Sequence, residues 1–254
     1  MLHLTRHGSA SARMPLLIAH GLFGSGRNWA TIARSLAESR EVVTVDMRNH
    51  GDSAWTETHD YPGMAGDLAE VIETELGGRA AVMGHSMGGK AAMTLALSQP
   101  DLVERLIVVD IAPVAYPDNR QEQQFTAMRA VDPATVKSRS EAQRLMTNIE
   151  PGVAAFLLQS LDLGARRWKL NIDLLEREMP NMVDFRPEGA PYVGPALFLA
   201  GAHSDYVTDA HHPLIRAWFP NARIETIADA GHWVHADRPQ AVLDAAGEFL
   251  HEGS

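Results

Sequence analysis

The sequence predicts an α/β fold in which a mostly parallel central sheet lies between helices on both faces. Short apolar runs alternate with amphipathic helical stretches along most of the chain, which is the order of repeated βαβ units. The 254 residues suffice for one large domain with a substantial core. Residues 114–193 interrupt the alternation with helical patterns alone. We therefore expect one domain, residues 1–254, that carries an insertion.

The predicted elements follow in chain order. Strands are expected at the apolar runs 2–5, 15–19, 41–46, 80–83, 105–109, 195–200 and 222–227. Helices are expected at 29–38, 64–76, 90–98 and 240–250, where apolar residues recur at intervals of three and four. Within the insertion, helical patterns occur at 121–131, 140–149, 153–161 and 172–179. We interpret residues 114–193 as a helical cap, and the alternative is a second helical layer on the sheet.

Composition excludes several classes of partner. The chain has 22 basic and 32 acidic residues, and its net charge of −10 repels nucleic acids and anionic membranes. The absence of cysteine excludes disulfides, thiolate catalysis and Cys-ligated zinc. No signal-peptide pattern or bilayer-length apolar run is present. We expect a cytoplasmic monomer or homodimer that binds neither nucleic acid nor membrane.

Residues 84–88, Gly-His-Ser-Met-Gly, match the G-x-S-x-G motif between a predicted strand and a predicted helix. In a nucleophile elbow the serine occupies a strained turn, and small neighbours let the strand and the helix approach each other. Gly84, Gly88 and Gly89 meet that need. The following helix N-terminus favours negative charge beside the serine. The motif predicts that Ser86 is a catalytic nucleophile.

A glycine-bearing turn, His-Gly-Leu-Phe-Gly at residues 20–24, follows the second predicted strand. Active sites of open α/β sheets collect at such carboxyl ends of strands. Acyl transfer requires two preorganised donors for the tetrahedral oxyanion. We expect these donors to be the backbone N–H groups of Leu22 and Met87. The candidate substrate-contacting side chains are Phe23, His85 and Trp233.

The general base is expected near the C-terminus. His232 follows a glycine in the loop after the last predicted strand and completes the chain order Ser, Asp, His. His235 is the alternative base.

Two carboxylates compete for the role of the acid that orients the imidazole. Asp110 ends the predicted strand 105–109, whereas Asp205 follows the predicted strand 195–200. A buried carboxylate at a strand end serves this role better than a mobile loop group. The residue pattern alone leaves both open.

These motifs resemble the α/β-hydrolase superfamily, most closely the small bacterial YbfF-type esterases. The matching blocks are residues 20–25, 46–51, 84–90, 109–114 and 231–236. The resemblance implies an α/β-hydrolase fold and ester or acyl-CoA thioester substrates. It also implies that Asp110 is the acid, because this group has a serine at the more usual acid position, where Ser204 stands. The loop residues Asp46, Arg48, Asn49 and His50 are then expected to hold neighbouring loops by hydrogen bonds.

The sequence-based hypothesis is a serine hydrolase that cleaves a small ester or thioester through an acyl-enzyme on Ser86, with no cofactor and no metal. A cofactor-free haloperoxidase or perhydrolase and a C–C bond hydrolase use the same triad. The alternative from another class is a non-catalytic ligand-binding protein. His211 and His212 are expected on a polar helix surface rather than at a metal. Four side chains of the insertion are candidate pocket residues, although their spacing is more often that of core: Phe125, Met128, Phe156 and Leu157.

Overall fold

The computed structural model describes residues 1–9, 11–116 and 121–252. Its strands are β1 (His3–His7), β2 (Leu16–Ala19), β3 (Val42–Asp46), β4 (Ala80–His85), β5 (Val103–Val109), β6 (Leu161–Asp162), β7 (Arg167–Trp168), β8 (Ala196–Gly201) and β9 (Ala222–Ile227). Within the described residues the main sheet has the order β1-β3-β2-β4-β5-β8-β9. Strand β1 is antiparallel to β3, and the other neighbouring strands of this sheet are parallel. The predicted α/β fold with a mostly parallel sheet is confirmed.

The burial of the strands explains their sequences. Every residue of β2, β3, β4 and β8 is buried, and these strands are nearly continuous apolar runs, as parallel strands covered on both faces require. The edge strand β1 is largely exposed. Neighbouring side chains of β2 enter opposite layers, since Leu17 joins one apolar cluster while Leu16 and Ile18 join the other.

Helices cover both faces of the sheet. They are α1 (Ala30–Leu36), α2 (Tyr61–Glu75), α3 (Met87–Ser98), α4 (Glu122–Arg129), α5 (Arg139–Leu145), α6 (Pro151–Leu157), α7 (Ile172–Val183), α8 (His212–Trp218), α9 (Val234–Asp237) and α10 (Pro239–His251). Helices α2 and α3 contribute to one apolar cluster, and α1 and α10 contribute to the other. No helix of the described residues is both long and apolar enough to cross a membrane.

The chain between β5 and β8 contains α4 to α7 and the β6–β7 hairpin. The hairpin was not predicted, because strands of two residues are too short to show an alternating pattern. Helix α8 has no counterpart among the predicted helix ranges, although His211 and His212 are expected on a helix surface. Helix α7 continues through Pro180 to Val183, beyond the predicted end at Met179. Proline usually ends a helix, so the sequence pattern placed that boundary too early.

Candidate active site

Ser86 lies at a sharp turn between the end of β4 and the start of α3. Its backbone has φ 51° and ψ −115°, a conformation that side-chain-bearing residues rarely adopt. A Cβ atom at Gly84 would lie 2.2 Å from the carbonyl oxygen of Gly88. One at Gly88 would lie 2.5 Å from the carbonyl oxygen of Ala19. The close contact of β4, α3 and the end of β2 therefore requires glycine at both positions.

A chain of hydrogen bonds joins three of the predicted site residues. The His232 Nε2 atom lies 3.1 Å from Ser86 Oγ, and His232 Nδ1 lies 2.7 Å from Asp110 Oδ2. Asp110 is fully buried directly after β5. Its carboxylate also accepts hydrogen bonds from the Gly201 N–H and the Ser204 hydroxyl. These donors fix the orientation of the carboxylate that contacts the imidazole.

The two alternative residues lie elsewhere. Asp205 is exposed on the loop after β8, and its neighbour Ser204 is the residue that contacts Asp110. His235 is buried and stacks on Trp29, with ring centroids 4.3 Å apart. Geometry therefore supports Asp110 over Asp205 as the acid and His232 over His235 as the base.

The predicted oxyanion donors flank Ser86. Leu22 follows β2, and Met87 is the first residue of α3. Among the described residues, neither backbone N–H group donates to a protein acceptor. The next residue in the loop, Phe23, has φ 65° and donates its N–H to His50 Nε2 at 3.2 Å. Both N–H groups thus remain available for an oxyanion.

Two buried histidines hold the loop that contains Leu22. His20 donates from Nδ1 to the Gly21 carbonyl oxygen and accepts from the Met47 N–H, at 2.8 and 2.9 Å. His50 donates from Nδ1 to the Arg48 carbonyl oxygen at 2.8 Å. Burial lowers the pKa of His20 to about 4 and the pKa of His50 to about 3. Both imidazoles are therefore neutral near neutral pH, as their acceptor nitrogens require.

The other motif residues of this region also hold backbone and side chains in place. Asp46 accepts from the N–H groups of Gly26 and Asp52 at 2.8 and 2.9 Å. Arg48 forms an ion pair with Asp67 at 2.6 Å. Asn49 accepts from the Thr56 N–H at 2.9 Å. These contacts agree with the loop-holding role that the resemblance implies.

A cavity of about 220 Å³ opens beside Ser86 and His232. The three predicted substrate-contacting residues line it: Phe23, His85 and Trp233. From the helical insertion, Phe156 and Leu157 line it as well. Phe125 and Met128 are instead buried in the apolar core. Helical spacing does not distinguish a pocket-facing residue from a core residue, and these two candidates are part of the core.

Two contacts around the base have no signal in the sequence. Tyr206 stacks on the His232 ring, with centroids 4.1 Å apart. His85, a buried residue of the serine motif, donates from Nε2 to the His232 carbonyl oxygen at 2.8 Å. These contacts join loops that are far apart in the sequence, so only the fold reveals them.

Among the described residues, His3, Asp46 and Asp52 have potential metal-ligand atoms within 4.8 Å of one another. Both carboxylates already have protein partners. Asp46 accepts two backbone N–H groups, and Asp52 pairs with Lys169 at 2.8 Å. This cluster contains none of the residues that line the cavity beside Ser86. His211 and His212 lie at the start of α8.

The parallel sheet, the elbow serine and the histidine that contacts it define an α/β hydrolase. Residues 14–239 match the model of the alpha/beta hydrolase fold family. The chain belongs to this family.

Its relatives are named lipases and esterases. The chain is 42% identical over 252 residues to the sn-1-specific diacylglycerol lipase ABHD11 of Mus musculus, covering 94% of this chain and 82% of that protein. It is 39% identical over 240 residues to the esterase YbfF of Escherichia coli (strain K12), covering 94% and 93%. A solved structure described as a marine microorganism esterase has TM-score 0.93 and 37% identity over 98% of both chains. The resemblance to YbfF-type esterases is confirmed, and these relatives support a hydrolase.

Proposed function

We propose that this protein is a serine carboxylesterase in which Ser86 is the nucleophile, His232 the general base and Asp110 the acid. The observation that carries the proposal is the continuous hydrogen-bond chain from Ser86 Oγ through His232 to the buried Asp110 carboxylate, at 3.1 and 2.7 Å. Both distances are within the range of general acid–base catalysis.

Acylation follows from this chain. Ser86 Oγ attacks the ester carbonyl carbon while its proton passes to His232 Nε2. The Leu22 and Met87 N–H groups donate to the tetrahedral oxyanion. The C–O bond to the alcohol then breaks, and the leaving oxygen takes the proton from His232. Asp110 keeps the proton of neutral His232 on Nδ1 and stabilises the imidazolium that forms transiently.

Deacylation repeats these steps with water. Water gives one proton to His232 Nε2 and attacks the acyl carbon, and the returning proton restores the Ser86 hydroxyl. The products are one carboxylic acid and one alcohol.

Two further observations favour esters. The named relatives are esterases and lipases. Phe156, Leu157 and Trp233 make part of the cavity beside Ser86 apolar, as a bound organic ester requires. The same steps would cleave a thioester, with a thiol as the leaving group.

Hydrolysis of p-nitrophenyl esters from acetate to palmitate tests the proposal, with Ser86→Ala and Ser35→Ala as variants. Ser35 is exposed on α1 and controls for the loss of a hydroxyl elsewhere. We expect turnover by the wild type and Ser35→Ala and its loss in folded Ser86→Ala. No turnover by any of the three contradicts the proposal and favours a ligand-binding protein. Equal turnover in Ser86→Ala excludes the serine mechanism.

A further inference from the structure

A second cavity, of about 50 Å³, adjoins the first at the nucleophile. Leu22, Ser86 and Tyr206 line both cavities. His232 lines the larger cavity, whereas Lys90 lines the smaller one. A substrate held at Ser86 can therefore extend in two chemically different directions.

Lys90 is an unusual residue to line a small cavity. Its side chain is 2% exposed, and its Nζ atom faces the rings of Tyr116, Phe185 and Tyr61 at 4.7, 5.0 and 5.6 Å. Within residues 1–9, 11–116 and 121–252, no carboxylate forms an ion pair with Nζ and no acceptor forms a hydrogen bond with it. The mechanism proposed for ester hydrolysis does not use this amine.

The position of Lys90 on α3 directs its side chain toward the nucleophile. Its backbone N–H donates to the Ser86 carbonyl oxygen at 3.0 Å, so the two residues lie one helical turn apart. Helical side chains lean toward the N-terminus, which here is the Ser86 end. The ammonium group is therefore directed toward the end of α3 where the acyl group would bind.

A buried ammonium without a counter-ion is costly, and cation–π contacts offset only part of that cost. Burial lowers the pKa of Lys90 to about 7, although Asp184 acts in the opposite direction. An anion bound in the cavity would stabilise the Lys90 ammonium, because a buried cation with a hydrogen-bonded partner is far less costly than a lone one.

The reaction geometry indicates which part of the substrate meets Lys90. His232 must give its proton to the leaving oxygen, so the alcohol occupies the cavity that His232 lines. The acyl chain then occupies the cavity that Lys90 lines. We propose that the preferred substrates are esters of short dicarboxylic acids, whose free carboxylate pairs with Lys90.

This proposal rests on the proposed ester hydrolysis and names its acyl group. The bonds that form and break stay the same. Water and the half-ester give a dicarboxylate, an alcohol and one proton, and no further reactant is required.

The test compares two neutral-alcohol esters of equal size: monoethyl glutarate and the ethyl ester of glutaramic acid. The first ends in a free carboxylate, and the second ends in a neutral amide. Ethyl leaving groups avoid the fast self-cleavage that activated aryl half-esters undergo. Ethanol release gives kcat/KM for each substrate, and the ratio of the two values is the readout.

We expect the wild type to prefer the carboxylate ester about tenfold or more, the worth of one charge-assisted hydrogen bond. Lys90→Met keeps a similar side-chain volume, and its ratio should fall to about one or below. Lys137→Met, which removes an exposed lysine on the chain before α5, should keep the wild-type ratio. Thermal melting would verify that each variant is folded.

The outcomes separate this inference from the proposed function. Ser86-dependent hydrolysis of the neutral ester with no preference for the carboxylate ester would overturn the role of Lys90 and leave esterase activity intact. A preference that persists in folded Lys90→Met would also overturn it. No hydrolysis of the two ethyl esters or of any p-nitrophenyl ester would overturn both proposals.

Discussion

Replacing Asp110 by asparagine tests the proposed acid while keeping its shape. In the wild type, the Asp110 carboxylate accepts from the Gly201 N–H at 2.8 Å and contacts His232 Nδ1 at 2.7 Å. The asparagine oxygen can keep the bond to Gly201. Its NH2 group then faces the Ser204 hydroxyl and His232 Nδ1. An amide NH2 only donates, so both of these partners must now accept a hydrogen bond.

The consequence is a change of tautomer. His232 Nδ1 must accept a hydrogen bond, so the imidazole proton moves to Nε2, which lies 3.1 Å from Ser86 Oγ. A protonated Nε2 cannot take the Ser86 proton. The same loss of tautomer in a Ser-His-Asp protease lowers kcat about ten-thousandfold, and we expect a fall of that order. It corresponds to about 5 kcal/mol in activation free energy.

The assay is the initial rate of p-nitrophenyl butyrate hydrolysis, with thermal melting to verify folding. Asp205→Asn is the matched control, because Asp205 is exposed and one residue from Ser204. We expect this control to retain most of the wild-type kcat. A large loss in Asp205→Asn together with near-normal turnover in folded Asp110→Asn would refute the assignment.

Four further predictions concern stability, measured by urea unfolding. Gly84→Ala should destabilise the protein by roughly 3 kcal/mol or more, because its Cβ would lie 2.2 Å from a carbonyl oxygen. Gly247→Ala should stabilise it by roughly 0.5–1 kcal/mol, since no atom beyond the neighbouring turns of α10 lies within 4 Å of the added Cβ. Equal changes in stability for the two glycine variants would contradict the packing argument. The free energy of unfolding should fall as the pH falls from 6.5 to about 4, because His20 binds a proton in the unfolded chain but stays neutral when buried in the fold. If folded His20→Gln shows the same slope of unfolding free energy against pH, His20 is not the cause. Between pH 7 and 10.5, Lys90 keeps its proton in the unfolded chain but has lost it in the fold. The free energy of unfolding of the wild type should therefore rise with pH relative to that of Lys90→Met. Parallel curves of unfolding free energy against pH for the two proteins would refute the lowered pKa of the buried amine.

Much of the fold could be predicted from local patterns. The buried strands β2, β4 and β8 are uninterrupted apolar runs, and α2 and α10 carry regular apolar spacing. Element ends were less accurate. Predicted strand 80–83 stopped before the motif, whereas β4 continues through His85, because sheet pairing extends past the apolar run.

The catalytic candidates divide in the same way. Ser86 and His232 stand in short motifs whose glycines and flanking elements are local features of the sequence. The choice between Asp110 and Asp205 depended on which carboxylate reaches His232 Nδ1. That contact joins residues 122 positions apart and depends on the strand order β5-β8-β9, in which Asp110 follows β5 and His232 follows β9.

By itself the sequence determined the α/β fold class, the serine elbow and the position of the histidine that follows the last strand. These features depend on the periodicity of apolar side chains, on the positions of glycines and on the order of motifs and elements along the chain. Only the tertiary structure decided that Asp110 contacts His232, that Phe156 faces the cavity while Phe125 enters the core, and that Lys90 is buried among aromatic rings beside Ser86. Each of these depends on contacts between distant segments, which a local pattern does not encode.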